Sequence, residues 1–123
     1  MKHGYFKAEN LKSRKLIEIL FKEGQSVKAF PLVAVYLPLP EGHDLHNVGV
    51  SVSKKRFKRA VDRNRIKRLM REAFRQNMST VYDPDMPRFA VMFIYIGRDM
   101  VNYETVNHGM VRLLEKMSVA LKT

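Results

Sequence analysis

With 123 residues, 46% of them hydrophobic, no cysteine and a net charge of +11, the chain can support one core but no chemistry based on thiolates, disulfides or cysteine-ligated zinc. No run of about 18 apolar residues occurs, so no membrane span is expected, and the N-terminal stretch MKHGYFKAENLKSRK has no apolar segment of the secretory kind. A single domain over residues 1–123 in a reducing, cytoplasmic setting is the expectation.

The first periodic element is Ser13–Glu23, where Leu16, Ile17, Leu20 and Phe21 recur at helical spacing, Ser13 suits the N-cap and Gly24 suits C′. Ala29–Leu37 is short, β-branched and aromatic, and Pro38 and Pro40 stop it, which predicts a strand. Glu41–Leu45 is a polar loop. His46–Lys55 alternates cleanly: Val48, Val50 and Val52 point to a core, while Gly49, Ser51 and Ser53 make a small polar face that a ligand backbone can approach. A helix from about Arg59 to Asn77 carries Ile66, Leu69, Met70, Ala73 and Phe74 on one stripe and Asn64, Arg68, Arg71 and Arg75 opposite it, flanked by Arg65 and Lys67. Ser79–Arg88, with Pro84 and Pro87, reads as a loop. Phe89–Ile96 is a nearly continuous apolar strand, buried on both sides. Asn102 caps a last helix whose buried stripe is Val106, Met110, Leu113, Leu114, Met117 and Leu121. The predicted order is α-β-β-α-β-α, an α+β class.

Charge is concentrated rather than spread. Between Lys54 and Arg75 stand eleven basic residues and two acidic ones, Asp62 and Glu72, so this stretch holds +9 of the +11. Elsewhere the signs nearly balance. An ordinary solvated helix mixes charges to gain i,i+4 pairs of a few tenths of a kcal/mol each. Here the arginines repel one another unless phosphates neutralise them, and guanidinium matches phosphate bidentately. A solvated basic face is the plain alternative. A nucleic-acid-binding domain accounts for the focusing better. Charge does not separate RNA from DNA, but no second helix adjoins this one to form a helix-turn-helix, so RNA is the better fit.

The strings GVSVSKK from Gly49 and RAVDRNRIKRLMREAFR from Arg59 closely resemble the protein subunits of bacterial ribonuclease P, whose signature is a strand ending in Ser-Lys-Lys followed by an Arg-Asn-Arg helix. LKSRKLIEILFKEG at Leu11–Gly24 looks like the first helix of that family, and the likeness runs from Leu11 to Leu121. It implies a two-layer sandwich with a small central sheet, the basic helix riding in a left-handed βαβ crossover, against the usual hand. It also implies a partner RNA that carries the chemistry with Mg²⁺, one protein per RNA, and removal of the 5′ leader from precursor tRNA. Lys54, Lys55, Lys58, Arg59, Arg63, Asn64, Arg65, Lys67, Arg68, Arg71 and Arg75 would then face the catalytic RNA, with Asn64 also a candidate metal contact. The leader would lie between the first helix and the sheet, against Arg14, Lys15, Ile17, Phe21, Val35, Ser51 and Ser53, with Lys54 and Lys55 also within reach of its phosphates. Ile17 and Val35 stand where some members carry aromatics, so leader contact would depend more on packing and backbone phosphates than on stacking. Phe21 has two readings, a stacking residue or a core residue beside Leu20. The entry RFKRAVD lacks the glycine turn of some members, and Phe57 would anchor it.

Two rival functions stay open from the residues: a ribosomal-protein-like or chaperone RNA-binding module, and a protein nuclease. The second has little to work with. His43 and His46 form an H-x-x-H pair read as loop residues, His3 and His108 are isolated, and Asp83 and Asp85 flank Pro84 as turn formers. The methionines fall mostly on apolar stripes, as core filler.

Overall fold

A computed structural model describes residues 8–42, 45–81 and 86–122. Its elements in chain order are β1 (Ala8–Asn10), α1 (Arg14–Glu23), β2 (Gln25–Ala29), β3 (Leu32–Pro38), β4 (His46–Val52), α2 (Ala60–Val81), β5 (Phe89–Tyr95) and α3 (Tyr103–Lys122). The strands form one sheet in the order β1-β4-β5-β3-β2. The most apolar segment, FAVMFIY, takes the central place as β5, since only a strand covered on both faces can bury every side chain. β4 runs parallel to β5 and β3 antiparallel to it. The chain between the parallel neighbours β4 and β5 forms α2, so the basic helix is the crossover of a βαβ unit.

Alternation along the strands divides the interior. On one face Leu32, Ala34, Tyr36, Val52, Val91, Phe93 and Tyr95 pack with Ile66, Met70, Ala73 and Phe74 of α2 and Val106, Met110, Leu113, Leu114, Met117 and Leu121 of α3. This is the expected sheet-on-helix sandwich. On the other face Ala90 and Met92 join Leu11, Leu20 and Leu39, with Leu16, Ile17 and Val35 packed at the margin, so α1 covers part of that side. Between α2 and α3, Asn77 Nδ2 donates to Asn107 Oδ1 at 2.5 Å, and Tyr103 Oη lies 3.3 Å from the same oxygen.

Both helix starts expected from sequence are present: Ser13 Oγ accepts the Leu16 N–H at 3.1 Å, and Asn102 Oδ1 accepts the Thr105 N–H at 3.0 Å. Gly24 follows α1, but for a different reason from the one its position suggested. Its backbone is extended (φ −72°, ψ 163°), not left-handed. Glycine is required because a Cβ would press against the Leu20 carbonyl and stand 2.9 Å from that of Tyr36.

The strand expected over Ala29–Leu37 is the second arm of a hairpin, turned at Phe30–Pro31, whose peptide bond is cis. β2 lies outside the expected strand because Gln25, Ser26 and Lys28 are exposed at the sheet margin and give no alternation. β1 is three exposed residues paired in parallel with β4 and carries no apolar signal. β4 ends at Val52, short of Lys55, and α2 continues past Asn77 to Val81.

Candidate nucleic-acid interface

The loop joining β4 to α2 is braced from within. The Ser53 carbonyl accepts the Phe57 N–H at 3.1 Å, and Ser53 Oγ accepts the Lys55 N–H at 3.1 Å. Phe57 is buried with its ring 5.8 Å from that of Tyr95, the anchor expected for this glycine-free entry. Two arginines complete the brace. Arg63 Nη1 donates to the Phe57 and Lys58 carbonyls at 2.8 and 2.9 Å, and Arg56 Nη1 donates to the Ile96 carbonyl. Half-buried Arg63 therefore holds the loop whose exposed Lys54, Lys55, Lys58 and Arg59 project outward.

Beyond the loop, burial of the apolar stripe fixes the roll of α2. Ile66, Met70 and Ala73 are fully buried, which turns Asn64, Arg65, Arg68, Arg71 and Arg75 to solvent, with Lys67 half-buried beside them. Two acids serve this helix. Asp62 lies 3.9 Å from Arg59 Nε, and Glu72 takes two hydrogen bonds from Arg75, at 2.7 and 3.2 Å, and one from Gln76. The Arg75 and Gln76 hydrogen bonds hold the Glu72 carboxyl below its ordinary range, so it stays ionised and occupies Arg75. Among the described residues Arg65, Lys67, Arg68 and Arg71 have no acidic partner within ion-pair distance. On α2 these four are the cations left to meet an external anion, beside the exposed Lys54, Lys55 and Lys58 of the loop.

Of the residues expected to meet a leader, Ile17, Val35 and Ser51 lie on the opposite face of the sheet. Val35 pairs with Met92 in register, Met92 with Gly49, and Ile94 with Ser51, so these residues run in rows toward β4. Ile17 packs at the margin of the same cluster, half-buried. Phe21, one turn further along α1, is 51% exposed. Its core reading is therefore set aside: α1 buries Leu20 and leaves Phe21 on the surface. Arg14, Lys15 and Ser53 are exposed.

His46 opens β4, where the strand expected over His46–Lys55 begins, and is not the loop residue its pairing with His43 suggested; it is 1% exposed, its ring 4.2 Å from that of Phe89 and its Nδ1 accepting the Phe89 N–H at 3.2 Å. Burial, with the nearby positive charge of Arg88, lowers its pKa to about 4. His3, His43, Asp83 and Asp85 lie outside the described residues, and His108 is exposed on α3. Among the described residues no three His, Asp or Glu side chains gather as metal ligands.

One feature had no sequence signal. A cleft of about 780 Å³ opens beside β1, lined by Glu9, Asn10, Leu11 and Lys12, by Val48, Gly49 and Val50 of β4, by Met92, and by Arg71, Phe74, Arg75 and Met78 of α2. It lies where the cationic face of α2 meets the edge of the sheet.

Comparison with known proteins gives one answer. The family model described as Ribonuclease P matches residues 6–118. The ribonuclease P protein component of Porphyromonas gingivalis ATCC 33277 is 35% identical over 119 residues, covering 94% of this chain and 87% of that one. That of Chlorobium phaeobacteroides is 31% identical over 128 residues, covering 93% and 88%. The solved RNase P protein from Thermotoga maritima superposes with a TM-score of 0.71 at 28% identity, over 88% of this chain and 96% of that one. An RNase P protein of Staphylococcus aureus, at 24% identity, shares the fold with a TM-score of 0.73 over 90% and 96%.

Proposed function

Since the chain belongs to the ribonuclease P family of protein components, we propose that it binds the catalytic RNA of a ribonuclease P through α2 and the preceding loop, holds the 5′ leader of precursor tRNA on the α1 side of the sheet, and so promotes leader removal. The observation that carries this reading is the outer face of α2. Arg65, Lys67, Arg68 and Arg71 project from a helix whose inner face is locked into the core, and no acid among the described residues neutralises them. The planar guanidinium fork is pre-organised for phosphate, so less side-chain freedom is lost per hydrogen bond formed, and counterion release supplies the driving force. The RNA would carry the bond-breaking step with Mg²⁺. Asn64 has no cluster of three acidic or histidine ligands beside it among the described residues, so an ion it touched would be held chiefly by RNA phosphates.

On the leader side, exposed Phe21 supplies a ring for stacking, Arg14 and Lys15 supply charge, and half-buried Ser51 lets the backbone come close. The test is cleavage of a leader-bearing precursor tRNA at low Mg²⁺ by the chain alone, the catalytic RNA alone, and both together. Cleavage only with both is expected. Cleavage by the chain alone would overturn the reading, and so would failure of the chain to rescue the RNA.

A further inference from the structure

The two surfaces just described lie on opposite faces of the sheet, and the cleft beside β1 is where they meet. Gly49, Met92 and Leu11 belong to the α1 side of its lining; Val48, Val50, Phe74 and Met78 belong to the α2 side. We propose that this cleft receives a single unpaired RNA nucleotide, its base inserted against β4 and its phosphate on Arg71 and Lys12. The proposal rests on the RNA-binding reading above and extends it to a site at the sheet edge.

Three observations lead there. The lining beside β4 is apolar: Val48, Val50, Phe74 and Met78 on the α2 side and Met92 on the other, where Gly49 adds no side chain and any Cβ placed there would lie 3.1 Å from the Met92 Sδ and Cε. The rim is cationic, since Lys12, Arg71 and Arg75 outnumber Glu9, and Arg71 has no acidic partner among the described residues while Arg75 is engaged by Glu72. The third concerns the backbone. Leu11 N–H donates to the Val48 carbonyl at 2.9 Å, and the register of β1 stops at Asn10 opposite Val48. In a strand, alternate residues turn their main-chain groups to the same side, so Val50 presents N–H and C=O past the end of β1. An adjacent donor and acceptor on a strand edge match the adjacent acceptor and donor on the polar edge of a nucleobase. An apolar lining, a paired hydrogen-bonding edge and a guanidinium at the mouth are the three recognition elements of a nucleotide.

The experiment is an amide NMR titration of the full chain with AMP, ribose 5-phosphate and inorganic phosphate at matched ionic strength. AMP should shift Gly49, Val50 and Arg71 together, roughly tenfold more tightly than ribose 5-phosphate, because only AMP carries the base. Phosphate should move α2 amides alone. The variant Asn10→Trp fills the cleft from an exposed position, and with unchanged circular dichroism it should lose the AMP response at Gly49. Unmoved β4 amides, equal responses to AMP and phosphate, or an unaffected Asn10→Trp variant would each overturn the proposal. Precursor cleavage with the catalytic RNA, assayed on the unmodified chain, separates the two readings. Rescue of cleavage without an AMP response removes only the cleft, whereas an AMP response without rescue keeps the cleft and removes the ribonuclease P reading.

Discussion

Helices α2 and α3 lie side by side on one face of the same sheet and solve the same packing problem, yet their outer faces differ. α2 carries six basic and two acidic side chains; α3 carries three and two. Their inner faces are nearly interchangeable in kind, a continuous stripe of Ile, Leu, Met, Val and Phe buried to within a few per cent. Since α3 is held by the same sort of core with an excess of only one positive charge, the fold does not require the cations of α2. They are a load the fold tolerates, and their explanation lies outside the chain.

The sharpest challenge to this comparison is to weaken each inner face. Met70→Ala in α2 and Leu113→Ala in α3 remove fully buried side chains, and each should cost about 2–5 kcal/mol in urea unfolding. A much smaller loss for Met70→Ala would show that the inner face of α2 is not a full member of the core.

Acid should act on the inside. His46 lies on the α2 side of β4 with its pKa lowered to about 4 by burial and then by Arg88. The unfolded chain takes up this proton near pH 6.5 and the folded chain only near 4. Stability from His46 is thus full above pH 6.5 and lost as pH falls toward 4, by roughly 3 kcal/mol in all. Melting at pH 7, 6 and 5, above the main carboxylate range, should show the loss beginning, and His46→Gln should flatten it.

Salt should act on the outside. Arg68→Ala with Arg71→Ala should lower the slope of log K against log salt for RNA binding by about two units, while Arg112→Ala with Lys116→Ala on α3 should leave it unchanged. Equal effects from both pairs would erase the distinction between the helices. The smallest difference concerns helix starts. Ser13→Ala and Asn102→Ala each remove one cap and should cost about 1 kcal/mol, measurable by chemical denaturation with no change in salt slope.

How much of this was legible in the sequence depended on whether a residue's neighbours are near in the chain. The stripes of α2 and α3 were readable because helical period is local, and each residue of the α3 stripe is buried. The central place of β5 followed from its uninterrupted apolar run. The arginine signature pointed to its family because the whole motif sits on one element. β1 and β2 were not readable, since edge strands need apolar side chains on neither face and are held by backbone pairing to distant partners. Phe21 was ambiguous because a four-residue apolar group on a ten-residue helix does not fix the roll to within one position. His46 was legible as the start of a strand, but its burial was not, because that depends on Phe89, 43 positions away. The cleft was invisible for the same reason: Lys12, Val50 and Arg71 come from a loop, a strand and a helix far apart in the chain.

The crossover itself has a consequence for how quickly the chain folds. β4 and β5 are immediate neighbours in the sheet, yet everything from residue 53 to 88 intervenes, including all of α2. Closing that pairing brings a self-repelling helix onto the sheet, a cost added to the entropy of the loop. Screening lowers the repulsion without touching the core. Refolding should therefore quicken as ionic strength rises while the unfolding rate changes little, and stopped-flow measurements in increasing potassium chloride will show whether the crossover closes early or late on the route to the native state.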